Sequence, residues 1–372
     1  MIRPLTYAAA LLAVFLLSPA CEREEIVDDL SSIPYDPKAY VMPELPYFFP
    51  EMPIPEDNPM TAEGVALGRY LFYDPILSAD SSISCASCHR IDRAFADDQN
   101  FSTGIGGQQT MRNAPSLANV GFYQNGLFWD GRVKTLEELA LHTIEDSQFM
   151  AHSLEELLEA FREHPDYPGR FRKAFGIGSR KEISKELTAK ALAQFLRTLL
   201  SYRSKYDYGN WDRGPETQFF SESELRGKIL YTTEPVIDPS DPHPGCSHCH
   251  HNTALLTSNE FLNNGLDPAL EPEDFPDPGL GAVTKKNIDY GRFKVPSLRN
   301  VERTAPYMHD GRFQTLEQVL DHYSSGGHSS YNLDVNIMPF PLSEQDKQDL
   351  IAFLKSMTDE IFFQENSYKN PF

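Results

Sequence analysis

The sequence predicts an all-α chain built from two related modules. Three observations carry that expectation. First, capping-box pairs open several runs of helical apolar periodicity, at Thr135…Glu138, Ser153…Glu156, Ser221…Glu224 and Thr315…Gln318. Second, no stretch alternates as a strand does. Third, two blocks recur along the chain. Asn113-Ala-Pro-Ser-Leu-Ala-Asn-Val120 returns as Lys294-Val-Pro-Ser-Leu-Arg-Asn-Val301, and Phe128-Trp-Asp-Gly-Arg-Val-Lys-Thr-Leu-Glu-Glu-Leu139 returns as Met308-His-Asp-Gly-Arg-Phe-Gln-Thr-Leu-Glu-Gln-Val319. A length of 372 residues, 40% of them hydrophobic, allows two or three domains. The repeat selects two, related by internal duplication.

The elements follow in order. Residues 1–20 read as an export signal. Arg3 gives a positive start, and Ala8 to Leu17 is an apolar run too short to span a bilayer. Cys21 directly follows Leu17-Ser18-Pro19-Ala20. That junction resembles a bacterial lipoprotein signal, in which Cys21 becomes a lipidated N-terminus; ordinary secretion with Cys21 idle is the alternative. Both place the chain on the periplasmic side, with the membrane reached only through the anchor. Residues 22–60 hold eight prolines, which oppose helix and favour extended chain. We expect 21–42 to be a tether and 43–60 to wrap onto the body through Leu45, Tyr47, Phe48, Phe49 and Ile54. Helices are expected over 61–73, 182–203 and 343–357. The Gly/Asn/Asp-containing stretch Tyr208 to Gly214 divides a first domain, 43–210, from a second, 211–372. His89 to Pro115 spans 26 residues and His250 to Pro296 spans 46, so the second module carries an insertion, assigned to the Pro/Asp/Glu-rich loop 267–284.

Charge excludes one class of partner. Lys and Arg total 33 against 54 Asp and Glu, a formal charge of −21. Binding to a phosphate backbone needs a basic face, so nucleic acid is not the partner. An acidic surface favours a docking partner with a basic face.

The cysteines carry the chemistry. Five is an odd number, so they cannot all pair. Beyond Cys21 they fall into Cys85-Ala-Ser-Cys88-His89 and Cys246-Ser-His-Cys249-His250. Each is a C-x-x-C-H signature for a covalent c-type haem. Two thiols one helical turn apart reach the two vinyl groups of one porphyrin, and the adjacent histidine ligates the iron. A zinc ribbon would set its C-x-x-C pairs roughly 15–20 residues apart, whereas Cys88 and Cys246 are 158 apart. A disulfide framework has no use for a histidine after both pairs, and a thioredoxin-like pair needs a βαβ context. Two haem c groups, held by His89 and His250, are therefore expected in two cytochrome c-type domains.

Over roughly residues 43–360, the chain resembles the bacterial dihaem cytochrome c peroxidases and their relative MauG. The resemblance rests on the two C-x-x-C-H sites, Asn113-Ala-Pro-Ser-Leu, Phe128-Trp-Asp-Gly-Arg and Ala305-Pro-Tyr-Met-His-Asp-Gly-Arg. It implies a set of site residues. In relatives that need reductive activation, a loop histidine caps the first haem. Here the loop Arg90 to Arg112 has no histidine, and Ile105 lies near that place, so the first haem is expected to be open to hydrogen peroxide. The second haem's distal ligand aligns with Tyr323, as in MauG. Met308 and Met338 are rivals, and the spacing of Leu316, Val319, Leu320 and Tyr323 also suits plain core. Trp129 corresponds to an electron-relay tryptophan between the haems, unless it is core. Asn113, Thr304 and Pro306 match positions that hold a calcium ion by oxygen ligands.

The chain departs from the family's pattern at its acid–base pair. The glutamine and glutamate positions fall on Leu139 and Phe149, which move no proton. His142 and Glu145 are the replacement candidates taken here, with Gln148 and, after a small register shift, Asp146 nearby. Three functions follow from the resemblance. The leading one is peroxide reduction to water with electrons from a small donor protein, a cytochrome c or cupredoxin. The others are oxidation of aromatic residues in a partner protein, motivated by Tyr323, and plain electron transfer, motivated by Leu139 and Phe149.

Overall fold

The structure is a computed structural model describing residues 29–211, 215–234 and 244–372. The expected signal, Cys21 and residues 22–28 lie outside the described residues. The fold is mainly helical. In chain order the helices are α1 Ala62–Tyr73, α2 Cys85–Cys88, α3 Leu136–Glu145, α4 Leu154–Glu163, α5 Tyr167–Phe175, α6 Lys185–Arg197, α7 Lys205–Trp211, α8 Glu222–Thr232, α9 Gly281–Thr284, α10 Leu316–Ser324, α11 Glu344–Lys355 and α12 Glu360–Gln364. One two-residue pair, β1 Phe261–Leu262 with β2 Phe293–Lys294, runs antiparallel in the register Phe261↔Lys294. Among the described residues no helix is long and apolar enough to cross a membrane.

Helix starts follow the capping chemistry, with one exception. Thr135, Ser221 and Thr315 each accept from the backbone three residues on, and Glu138, Glu224 and Gln318 bond back. Ser153 makes no such side-chain bond, although α4 still begins at Leu154. The helix expected over 182–203 is shorter, because Ser184 caps it and the chain leaves the helix after Arg197.

Each half is built on one close helix crossing. A Cβ on Gly68 would lie 1.9 Å from the Ala191 carbonyl oxygen and 2.9 Å from Phe195 Cβ. A Cβ on Gly227 would lie 1.9 Å from the Asp349 carbonyl oxygen and 2.9 Å from Phe353 Cβ. Only glycine allows α1 to meet α6, and α8 to meet α11, at that range. The first core gathers Leu67, Phe72, Phe95, Phe161, Phe171 and Phe195 around the first crossing. The second gathers Tyr206, Phe220, Tyr231, Leu350 and Phe353 around the other.

The cores exchange segments across the expected boundary at 210–211. Tyr206 belongs to the second core. Phe362 and Tyr368, from the C-terminal end, return to the first core. There the Tyr368 hydroxyl donates to Thr198 O at 2.7 Å. Asp207 and Arg299 form a fully buried bidentate pair at 2.8 and 2.6 Å. A third apolar cluster lies between the halves. In it Phe48 and Phe49 pack with Phe122, Leu200 and Leu255, whereas Tyr47 stays exposed.

The tether expected over 21–42 is corrected from Asp29 onward. Leu30 is buried and its N–H donates to Gly178 O at 2.9 Å. Tyr40 N donates to Met60 O at 3.0 Å, and Ala62 N to Lys38 O at 2.8 Å. Proline keeps this segment extended. Its backbone donors nevertheless find partners on the body, so the stretch is a strap.

Candidate functional site

Both C-x-x-C-H stretches form tight turns. Cys85–Cys88 is α2, closed by His89 N donating to Cys85 O at 2.9 Å. Cys246–His248 is a 3-10 turn, with His250 N donating to Cys246 O at 3.0 Å. The four thiols are free. With both histidines they line one largely apolar cavity of about 660 Å³ that runs through both halves. Burial pushes Cys85 and Cys246 up to about 12, and Cys88 and Cys249 up to about 11. Burial thus favours the neutral thiols. Among the described residues no group of three or more His, Cys, Asp or Glu is placed to hold a metal ion.

The two histidines share one geometry. His89 Nδ1 bonds Phe95 O at 2.7 Å, and His250 Nδ1 bonds Leu256 O at 3.1 Å, each carbonyl six residues on. A carbonyl on Nδ1 sets the tautomer and leaves Nε2 as the ligating nitrogen. Burial holds both imidazoles below their ordinary range, His250 at about 4. The neutral form that a metal requires is therefore favoured.

Tyr323, Met308 and Met338 all line the cavity. Asn264 links the first two: its Nδ2 donates to Tyr323 Oη at 3.2 Å and approaches Met308 Sδ at 3.4 Å. The backbone carbonyl of the same residue lies 2.9 Å from His322 Nε2, which ties the Asn264 main chain to α10. Burial pushes the Tyr323 phenol up to about 12.

Trp129 sits at the seam between the halves. Its indole Nε1 donates to Asn113 O at 2.8 Å, and its carbonyl accepts from Lys294 N at 2.9 Å. The reciprocal contact is Asn113 N to His309 O at 2.8 Å. Asn113 and Lys294 are paired positions of the repeat, as are Trp129 and His309, so the two contacts mirror one another. Asn113, Thr304 and Pro306 also line the cavity. Asn113 spends its Nδ2 on Gln99 O at 2.7 Å.

The acid–base candidates separate. Leu139 and Phe149 line the cavity, as their positions implied, and so do His142, Asp146 and Gln148. Glu145 does not: it is exposed on the outer side of α3 and outside the cavity wall. Helical geometry explains the correction, since the side of α3 that presents Leu139 and His142 turns Glu145 outward. The loop 90–112 contributes Gly104, Thr110, Met111 and Arg112 to the wall.

Sequence reasoning missed a chain of charges along this seam. Asp277, from the expected insertion, takes Arg112 in two bonds of 2.7 Å. Arg112 Nη1 donates to Asp130 at 2.5 Å, and Asp130 also holds Arg132 at 3.1 and 3.2 Å. Arg132 Nε reaches His142 Nε2 at 3.1 Å. Lys294 was missed too. It is buried, its ammonium bonds Gly126 O and Asn259 Oδ1, and it faces the rings of Tyr123 and Phe261. The recurring sequence block held the signal, since Lys294 stands in the second Pro-Ser-Leu block where Asn113 stands in the first.

The chain matches the di-haem cytochrome c peroxidase family over residues 62–214. It is 35% identical over 311 residues to the methylamine utilization protein MauG of Methylorubrum extorquens, covering 83% of this chain and 82% of that one. The chain belongs to the di-haem cytochrome c peroxidase family. It is 33% identical over 311 residues to the cytochrome c551 peroxidase of Nitrosomonas europaea, with 84% of each chain covered. A solved structure of a MauG-like protein associated with microbial copper homeostasis superposes with a TM-score of 0.79 at 34% identity, covering 88% of this chain and 98% of the other.

Membership of the di-haem peroxidase family makes the chain an oxidoreductase and implies two haem c groups. The residues present fit them. Each half offers two neutral thiols one turn apart and one neutral imidazole held at Nδ1 by a backbone carbonyl, all on a largely apolar cavity.

Proposed function

We propose that this chain is a periplasm-facing dihaem peroxidase of the MauG-like branch, which takes hydrogen peroxide to water with electrons from an external donor protein. Cys85, Cys88 and His89 would hold one haem c, and Cys246, Cys249 and His250 the other, in two cytochrome c-type domains related by internal duplication. The mirrored contacts at the seam and the two glycine-mediated crossings support that duplication. When bound, haem supplies redox-active iron. The observation that carries the reading is the wall of the first half's cavity. It has no histidine from the 90–112 loop, and the imidazole that α3 presents to it, His142, is already engaged by Arg132. Peroxide therefore has an open approach.

The chain's own residues divide the work. His142 takes a proton from one peroxide oxygen and returns it to the other, which leaves as water. Leu139 and Phe149 keep bulk water away. Trp129, oriented by its bond to Asn113, stands on the electron path between the halves. Asn113, Thr304 and Pro306 would offer oxygens to a calcium ion that ties the halves. Cys21 would carry the lipid anchor, and the acidic surface would receive a donor with a basic face.

Purified holoprotein should consume peroxide with reduced cytochrome c or a cupredoxin. Absence of turnover with several donors rejects the reading. Tyr323 favours a second activity, oxidation of aromatic residues in a partner protein. Its buried phenol beside Asn264, once it gives up its proton on binding iron, would be a hard, anionic ligand that favours oxidised iron, which we assign to the second haem. Electron paramagnetic resonance of ferric Tyr323→Phe should then change the low-spin signal and leave the high-spin one. An unchanged low-spin signal moves the assignment to Met308 or Met338.

A further inference from the structure

We propose that Arg132 and Asp146 work His142 as a partner-exchange proton switch: neutral His142 accepts from Arg132, and protonated His142 turns its Nε2–H to Asp146 and frees the Arg132 Nε–H for the bound substrate. This rests on the assignment of proton transfer to His142 and deepens it. A guanidinium is a donor only, so the Arg132 Nε to His142 Nε2 contact of 3.1 Å makes Nε2 an acceptor and puts the ring proton on Nδ1. In that state Asp146 Oδ2 stands 3.5 Å from the same nitrogen with no proton between them. The second partner is already in place, one turn on, and needs only the proton.

Arg132 is built to release His142 without leaving. Its Nη1 is held at 3.1 and 3.2 Å by Asp130, itself buried, and its guanidinium lies 3.6 Å over the Phe128 ring. Only the Nε–H is spent on His142. Arg132, His142 and Asp146 all line the cavity. The charged groups that bear on His142 are Arg132 and Asp130 from the preceding loop, and Glu145 and Asp146 from the end of its own helix. Burial and Arg132 disfavour the imidazolium; the three carboxylates and the C-terminal end of α3 favour it. Burial and Arg132 prevail, so the imidazolium is held below its ordinary range and gives its proton back readily. The exchange also couples two events. The proton that leaves the substrate forms the His142 Nε2–H bond, and the released guanidinium donor then faces the oxygen or carbon left with the electron pair.

The test is cyanide association with the ferric holoprotein, followed by absorbance across pH. Hydrogen cyanide must give up its proton as it binds. That proton forms the N–H bond on His142 while the carbon keeps the electron pair. The wild-type rate should inflect below the ordinary imidazole value. Asp146→Asn should move the inflection down, and Arg132→Gln should move it up, each by about one pH unit. Asp146 is partly exposed, so its variant tests the proposal even if Arg132→Gln does not fold. Coincident inflections in wild type and Asp146→Asn overturn the switch. An inflection that survives unchanged in His142→Gln rejects His142 itself as the proton acceptor. A wild-type protein that binds no cyanide rejects the open first haem and the switch together.

Discussion

Lys294 is the residue whose burial has the clearest measurable cost. It lies 8% exposed at the seam, and its ammonium meets carbonyl, amide and ring partners. Burial, then the charge of Lys134, lowers it from 10.5 to about 7. The folded chain therefore loses a proton that the unfolded chain keeps until near 10.5. Where the unfolded state binds more protons, stability rises with pH. Wild-type stability should accordingly climb between about pH 7 and the ordinary lysine range. Lys294→Met should flatten that climb, as read from denaturant midpoints of the two holoproteins. At this scale the two C-x-x-C-H motifs, which point to the two haem groups that the family implies, were legible because covalent attachment demands a fixed spacing. Asn264 was not, because one amide between Tyr323 and Met308 leaves no pattern. Glu145 was misplaced, since a register on paper does not say which side of α3 meets the cavity.

At the scale of elements, the capped helices and the glycine crossings decide where the haem motifs sit. Gly227 and Gly68 read in sequence as ordinary helix residues. The need for glycine emerges only when α8 meets α11 and α1 meets α6. Gly227→Ala would put a methyl 1.9 Å from the Asp349 carbonyl. Backbone cannot yield as a side chain does, so we expect a loss of about 1–3 kcal/mol, in line with overpacked cores. Equilibrium unfolding of the holoprotein measures it, and a wild-type midpoint would show that α8 can shift freely. The insertion 267–284 was legible as extra length between paired motifs. Its purpose was not, because a Pro/Asp/Glu-rich loop carries the same composition whether it floats or supplies Asp277 to Arg112. The strap of residues 29–42 misled for a related reason: proline density specifies extended chain and is silent on what that chain lies against.

Across the whole molecule, the two halves are joined by apolar surface from residues 43–60, by the mirrored Asn113 and Lys294 contacts, and by the Arg112–Asp277 pair. Burial raises the Asp277 carboxyl, but the bonds and charge of Arg112 outweigh it and hold the group below its ordinary value of 3.8. A depressed carboxylate contributes stability that is complete above its unfolded value and is lost as pH falls through the folded one. Asp277→Asn should therefore cost about 1.5–3 kcal/mol near neutrality, because it removes one of two carboxylates from a largely buried Arg112 and leaves that guanidinium to Asp130 alone. The difference from wild type should begin to shrink as pH falls below about 4 and should disappear only once the folded carboxyl, depressed by Arg112, is itself protonated. Thermal unfolding across pH reads both effects, and a constant difference would show that Asp277 acts by shape alone. By itself, the sequence determined the mainly helical class, the two haem motifs and their family, because periodicity, capping and C-x-x-C-H chemistry are local and act over a few residues. Only the tertiary structure decided that the cores exchange Tyr206 and Phe362 across the expected boundary, that Asp146 and not Glu145 faces the cavity, and that six charged or titratable side chains line up from Asp277 to Asp146. Those outcomes depend on which distant surfaces meet, and contact between residues more than a hundred positions apart leaves no trace in local spacing.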